Sequence, residues 1–275
     1  MNNSKGQVTP SLSVLSRQGV EYKLLLDGVS AALANGIRRA LVAYVPTFAI
    51  DEVLFAENNT SFYREYIAHR LSLIPIKTEL SYQELADNFF EPKKEVGMVL
   101  DVKADSDMTV YASELRFPDG QVATEHPRIP IISMVKGQNL RAELTARIGT
   151  GRQHAKWQPV SAASSVSYPL ITVLNDACGD CKKCVDACPA GALGIVNGKL
   201  SVVDSLACTL CKACEEACPD ALRVEAYPNR FILSFELNGQ LDARTAVMAA
   251  LEILNRGLNN ILSQLEVLLN EKKTN

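Results

Sequence analysis

Outside residues 178–218 the chain contains no cysteine. It has one tryptophan, three histidines and no basic excess: 28 Lys and Arg stand against 31 Asp and Glu, for a net charge of −3. A dominant nucleic-acid footprint would need a positive surplus, so none is expected. No uninterrupted apolar run approaches the roughly 18 residues that mark a membrane-spanning helix. The opening residues, MNNSKGQVTP, lack the apolar stretch of a secretory signal. A cytoplasmic location is therefore expected, where thiols stay reduced and structural disulfides are rare. Catalytic signatures are missing too. There is no G-x-x-x-x-G-K-[ST] loop and no G-x-G-x-x-G turn, nor the D-x-D-x-D carboxylates that would hold Mg²⁺ for nucleotidyl transfer. Asp105-Ser106-Asp107 is too short for that role and reads as a solvated turn, and GTGR at 149–152 is a single glycine turn. His69, His126 and His154 are scattered, with His154 beside Lys156 and Trp157 in a stretch suited to ordering a loop or an interface. No catalytic residue is assigned, and the chain is not expected to be an enzyme by itself.

What is present is a chain of 275 residues, 47% hydrophobic and 21% charged, long enough for two or three domains. Its eight cysteines fall into two runs, CGDCKKCVDACP from Cys178 and CTLCKACEEACP from Cys208. Each fits C-x2-C-x2-C-x3-C followed by proline. Three thiolates at that spacing wrap one corner of an iron–sulfur cube, and the fourth starts a helical turn that aims it elsewhere. In two-cluster ferredoxins the fourth cysteine ligates the other cluster. The expected sets are thus Cys178, Cys181, Cys184 and Cys218 for one [4Fe–4S] cluster, and Cys208, Cys211, Cys214 and Cys188 for the second. Structural zinc prefers two C-x2–4-C pairs held apart by a longer loop, which is not the pattern here. Residues 171–224 resemble a bacterial-type ferredoxin domain. Asn197-Gly198 between the runs predicts a type I′ hairpin. CVDACPAGAL and CEEACPDAL predict short helices starting near each fourth cysteine. Such a small segment buries little surface, so its clusters should supply much of its stability.

The flanks predict a strand at VEYKLLLD and a helix over about 31–44, with Ser30 as N-cap. Leu33, Ile37, Leu41 and Tyr44 share a face of that helix, Arg38 and Arg39 sit off it, and Pro46 ends it. A second helix is expected in SFYREYIAHRLSL, and residues 77–155 read as strands and turns. NRFILSFELNGQ alternates as a strand, with Phe231, Leu233, Phe235 and Leu237 on one side. A helix over about 242–270 carries Val247, Leu251, Leu254, Leu258, Ile261, Leu265 and Leu268 at alternating spacings of 4 and 3. This period-3.5 seam must be buried against something, and the extra apolar Leu262, Val267 and Leu269 favour a partner helix.

Three stretches carry a resemblance. NGIRRALVAYVPTFAIDEVLFAENNTSFYREYIAHRLSLIPI (35–76), GTGRQHAKWQPVSA (149–162) and RFILSFELNGQLDARTAVMAALEIL are similar to the α-type assembly subunits of cellular RNA polymerases. The ferredoxin-like stretch between the last two points to the archaeal branch of that family. The resemblance implies an α+β architecture. Residues 1–48 and 229–275 would form a split dimerisation domain, a small sheet plus two helices. Residues 49–170 would form an inserted β-rich domain, and 171–228 a ferredoxin-like domain with two [4Fe–4S] clusters. It implies pairing with subunit L, a platform completed by small subunits N and P, and docking of the large catalytic subunits near Arg38 and Arg39. No direct sequence-specific DNA binding and no membrane contact are expected. The alternative is a ferredoxin-like electron-transfer subunit of a redox enzyme. The clusters alone favour it, but the flanks hold no flavin, nicotinamide or substrate motif.

Overall fold

The computed structural model describes residues 9–175 and 182–271, without the side chains of 270 and 271. In chain order the elements are β1 (Ser11–Gln18), β2 (Glu21–Asp27), α1 (Ala31–Ala43), β3 (Pro46–Asn58), α2 (Arg64–Ser72), α3 (Tyr82–Phe90), β4 (Glu95–Lys103), β5 (Met108–Tyr111), β6 (Pro130–Met134), β7 (Asn139–Thr150) and β8 (Val160–Val173). They continue with α4 (Lys183–Asp186), β9 (Leu193–Val196), β10 (Lys199–Val202), α5 (Ala213–Ala217), β11 (Leu222–Leu237) and α6 (Ala243–Glu271). The protein is of the α+β class. It divides into two compact units. One takes in the described residues up to Ser16, Lys23–Ala34 and Ser164–Leu233; the other takes in Arg17–Tyr22, Asn35–Ala163 and the described residues from Ser234.

The first unit holds most of a sheet with strand order β1-β2-β11-β8, and the hairpin β9-β10. The hairpin turns on Asn197 (φ 52°) and Gly198 (φ 75°), the two positive φ values of a type I′ turn, as the sequence predicts. Strand β11 is longer than NRFILSFEL suggests, because it begins at Leu222 in the cysteine-rich segment. An aromatic and ionic cluster braces its middle. Arg230 pairs with Asp27 at 2.6 Å and lies over the Tyr227 ring at 4.1 Å.

The second unit contains a sheet of order β3-β7-β4 and the pair β5-β6. One face of β7 is sealed by Leu140, Ala142, Leu144, Ala146 and Ile148, the alternation of a half-buried strand. Helices α2 and α3 both pack on β3. The sequence reading of 77–155 as strands and turns overlooks α3. Its signal is a capping box: Ser81 Oγ accepts the Glu84 N–H, and the Glu84 carboxylate accepts the Ser81 N–H at 2.9 Å. The Lys94 ammonium, then the Ser81 backbone and hydroxyl, hold the Glu84 carboxyl down to about 2.

On α1 the buried face is Ala34, Ile37, Ala40 and Leu41, while Leu33 is exposed, contrary to the expected stripe. The chain leaves α1 directly into β3 at Pro46, which cannot continue the helix. Helix α6 is capped by Asp242, whose Oδ1 accepts the Thr245 N–H at 3.0 Å. Along its length the character of its apolar residues changes. Ala246, Val247, Ala249, Ala250 and Ile253 are buried, whereas Leu258, Ile261 and Leu265 are 62, 64 and 49% exposed.

Candidate metal centre

The six described cysteines lie in the first unit, around two short helices related by a 30-residue offset. Cys184 is carried by α4 and Cys214 by α5. Each helix is entered from a left-handed lysine, Lys182 (φ 52°) and Lys212 (φ 63°), directly before it. Leu210 (φ 59°) is a third left-handed residue, between Cys208 and Cys211. These tight reversals let cysteines two residues apart face one point. Cys184 and Cys214 are buried in an apolar cluster with Leu193, Leu200, Leu222 and Val224, flanked by Cys188, Cys208 and Cys218. Cys211 is exposed.

The two helices lie earlier than the sequence predicts, ending before each fourth cysteine instead of starting near it. They carry the third cysteine of each run and stop before the fourth. Cys218 is the C-cap of α5, with φ −145° and ψ 72°. The reason is the proline that follows each fourth cysteine, Pro189 and Pro219, which pushes the preceding residue out of the helical region. The fourth sulfur is thus released from the helix rather than held by it.

Backbone bonds show how the runs interleave. Leu174 N–H donates to the Ala221 carbonyl at 2.8 Å, three residues after Cys218, and the Asn175 side chain donates to the Asp220 carbonyl at 2.6 Å. On the other side, the Val203 and Asp204 N–H groups donate to the Ala192 carbonyl at 2.9 and 3.3 Å, four residues after Cys188. The chain approaching each three-cysteine run is therefore tied to the chain leaving the other run's fourth cysteine.

Electrostatics report the same proximity in one half. Burial pushes the Cys214 thiol up, and charge on Cys188 and, more weakly, Cys208 adds to it. Cys188 from the first run thus stands close to Cys208 and Cys214 of the second. Backbone amides point at sulfur: Ala192 N–H to Cys188 Sγ at 3.4 Å and Leu210 N–H to Cys208 Sγ at 3.5 Å. Bonds of this kind stabilise anionic sulfur and tune iron–sulfur clusters. The donor set, four cysteines with amide donors and an apolar seal, fits a four-iron cube. Among the described residues no group of three or more His, Cys, Asp or Glu side chains is arranged around a single metal ion; a cube seats each thiolate on a different iron. Cys178 and Cys181 lie outside the described residues.

Other expected sites are dispersed. Arg38 is half-buried, with its Nε donating to Asn35 Oδ1 at 3.0 Å, and Arg39 is exposed. His69 is exposed on α2, and His126 Nε2 lies 3.0 Å from the Asn238 carbonyl. The His-Ala-Lys-Trp stretch is pinned onto β3 and β7. Lys156 Nζ donates to the Ile50 carbonyl and Asp51 and stands 4.2 Å from the Trp157 ring centre, while Trp157 Nε1 donates to the Arg147 carbonyl. A Cβ at Gly149 would fall 2.5 Å from Trp157, so only glycine admits the ring. This loop is a fastening, with the Lys156 ammonium and the Trp157 N–H bonded inside the unit.

Comparison with known proteins adds the context. Residues 52–166 match the family described as RNA polymerase Rpb3/RpoA insert domain, and residues 170–219, which include all eight cysteines, match the 4Fe-4S dicluster domain. The chain is 33% identical over 271 residues to DNA-directed RNA polymerase subunit Rpo3 of Methanosarcina acetivorans, covering 95% of this chain and 100% of the relative. It is 36% identical over 266 residues to the subunit of that name in Archaeoglobus fulgidus, covering 94% and 99%. The subunit from Thermococcus kodakarensis is 31% identical over 264 residues, covering 93% and 97%. With this identity sustained from end to end, the chain belongs to the Rpo3 family of DNA-directed RNA polymerase subunits, the archaeal, α-like assembly type.

Proposed function

We propose that the chain is a non-catalytic assembly subunit of RNA polymerase, working in the cytoplasm. It pairs through α6 with the small α-like subunit L. With subunits N and P it forms the platform on which the large catalytic subunits assemble, Arg38 and Arg39 meeting one of them. The observation that carries this reading is the open apolar side of α6, from Leu251 at 36% exposure to Leu268 at 59%, in a chain whose relatives are polymerase subunits. Six of the seven expected seam positions, Leu251, Leu254, Leu258, Ile261, Leu265 and Leu268, supply knobs for a facing helix, whereas Val247 is buried within the chain itself, and an exposed stripe of this length marks an interaction site. The division into 1–48 with 229–275, 49–170 and 171–228 belongs to the same reading, supported by family matches at 52–166 and 170–219.

The reading includes two [4Fe–4S] clusters, on Cys178, Cys181, Cys184 and Cys218 and on Cys208, Cys211, Cys214 and Cys188. Bound, such clusters would cross-link the two runs and add one-electron redox capacity. The chain's own part is to hold the sulfurs, to aim amides at Cys188 and Cys208, and to exclude water with Leu193, Leu200, Leu222 and Val224.

The test is anaerobic co-purification with subunit L from a co-expression. The expected result is a 1:1 complex that survives high salt, because its interface is apolar, with about eight irons and eight sulfides per chain. Recovery of the chain free of the co-expressed subunit L would overturn the assembly role, and zinc in place of iron would overturn the cluster assignment.

A further inference from the structure

The residues leading into Cys208 are organised around one side chain. The N–H of Asp204, with that of Val203, ties the strand to Ala192 beyond Cys188. Its carboxylate turns forward. Oδ1 accepts the Leu206 N–H at 2.9 Å and the Ala207 N–H at 3.3 Å, fixing Ser205–Ala207 as a single 3-10 turn. Cys208 follows immediately, and its own N–H closes that turn on the Ser205 carbonyl at 3.3 Å. One residue therefore sets both the distance from this strand to the Cys188 exit and the direction in which Cys208 departs. The backbone at Asp204 is extended, φ −141° and ψ 100°, a conformation open to any residue. What the position requires is thus the acceptor, not the backbone. On the approach to the other run, the Asn175 side chain donates to the Asp220 carbonyl at 2.6 Å.

We propose that Asp204 is a positioning residue for the iron–sulfur cluster of Cys188, Cys208, Cys211 and Cys214, presetting Cys208 against Cys188 through the 3-10 turn that its carboxylate holds. This rests on the iron–sulfur reading above. Aspartate and asparagine both cap such turns through Oδ1, so the role belongs to the acceptor oxygen and not to the charge. Removing the acceptor frees the 205–207 turn and loosens one of four ligands, while α4 and its Cys184 are untouched.

The experiment uses the full chain, co-expressed with subunit L and purified without oxygen, with iron, sulfide and the EPR spectrum of the reduced protein as readouts. The unaltered chain is measured first; if it holds no iron, the iron–sulfur reading itself fails. Given about eight irons there, Asp204→Ala is expected to retain about half, with one of the two EPR components lost. Asp204→Asn is expected to restore close to the full content. The irons left in Asp204→Ala should survive a further Cys211→Ser change and disappear on Cys184→Ser. Asn175→Ala should leave the Cys211-dependent irons in place. Full iron in Asp204→Ala, equal loss in the Ala and Asn variants, or loss of the Cys184-dependent irons instead would each overturn the proposal. If Asp204→Ala is not recovered as soluble complex, Asp204→Ser, a shorter acceptor, is measured. It should fall between Asn and half-content, and full or no iron in it would overturn the role equally.

Discussion

The two halves of α6 make an instructive pair. Both are rich in apolar residues, both are regular helix, and they meet at Gly257. The first half presents small residues, Ala246, Ala249 and Ala250, with Val247 and Ile253, and all are buried within the chain. The second half presents Leu258, Ile261, Leu262, Leu265, Val267, Leu268 and Leu269, each at least 49% exposed. Alanine buried inside allows close approach of a neighbouring element, whereas leucine left outside is costly in water unless something covers it. At roughly 25 cal/mol per Å² of apolar surface, such a row represents a driving force of many kcal/mol awaiting a partner. The difference teaches that one helix can finish its own fold in its first three turns and offer the remainder as an interface. Arg256 marks the changeover: it bonds Glu252 on its own helix and Asp87 on α3, fastening α6 just before its exposed stretch begins.

Three variants sharpen that contrast. The largest effect is expected from Leu258→Asp combined with Leu265→Asp. Two carboxylates set into an apolar seam should cost at least about 3 kcal/mol of association, more than a hundredfold in Kd. The unfolding free energy of the chain alone should change by less than about 0.5 kcal/mol. Titration calorimetry against subunit L and denaturant unfolding measure the two quantities, and a folding defect with intact pairing would reverse the account. Next comes Ile253→Ala, on the buried side. It should cost the chain about 2–4 kcal/mol of its own stability by leaving a cavity, with a much smaller change in affinity for the partner. The smallest effect is expected from Glu84→Gln on α3, the helix that α6 packs against. The Glu84 carboxyl, normally near 4.5, is held at about 2 in the folded chain. Its contribution is therefore fully present above pH 4.5 and fades as pH falls toward 2. The substitution should cost less than about 1 kcal/mol at pH 7, and the gap to the unaltered chain should narrow at pH 3.5. Trp157, the single tryptophan, lies in the same compact unit, so its fluorescence reports that unfolding.

Some of this architecture is legible in the sequence, and the rest is concealed for identifiable reasons. Asn197-Gly198 announces its hairpin because few other dipeptides accept two positive φ values. The spacing of the cysteines, conveyed by sulfur chemistry alone, places two runs that the structure interleaves through Ala192 and Ala221. The ends of α4 and α5 escape a reading that starts a helix at the fourth cysteine, because Pro189 and Pro219 disfavour the helical conformation in the residue before them. Helix α3 hides among strands although Ser81 and Glu84 carry its start signal. On α6, heptad reading weighs large side chains, so it finds the outward stripe and passes over Ala246, Ala249 and Ala250, which face the chain's own interior. Leu33 on α1 shows the same bias, since the buried positions beside it are again alanines, Ala34 and Ala40.

The most direct test of the account is hydrogen–deuterium exchange along α6, comparing the chain alone with the chain bound to subunit L. The account predicts that amides of residues 258–269 exchange readily in the lone chain and become strongly protected in the complex, while those of 246–253 are protected equally in both. Unchanged exchange at 258–269 on binding would contradict it.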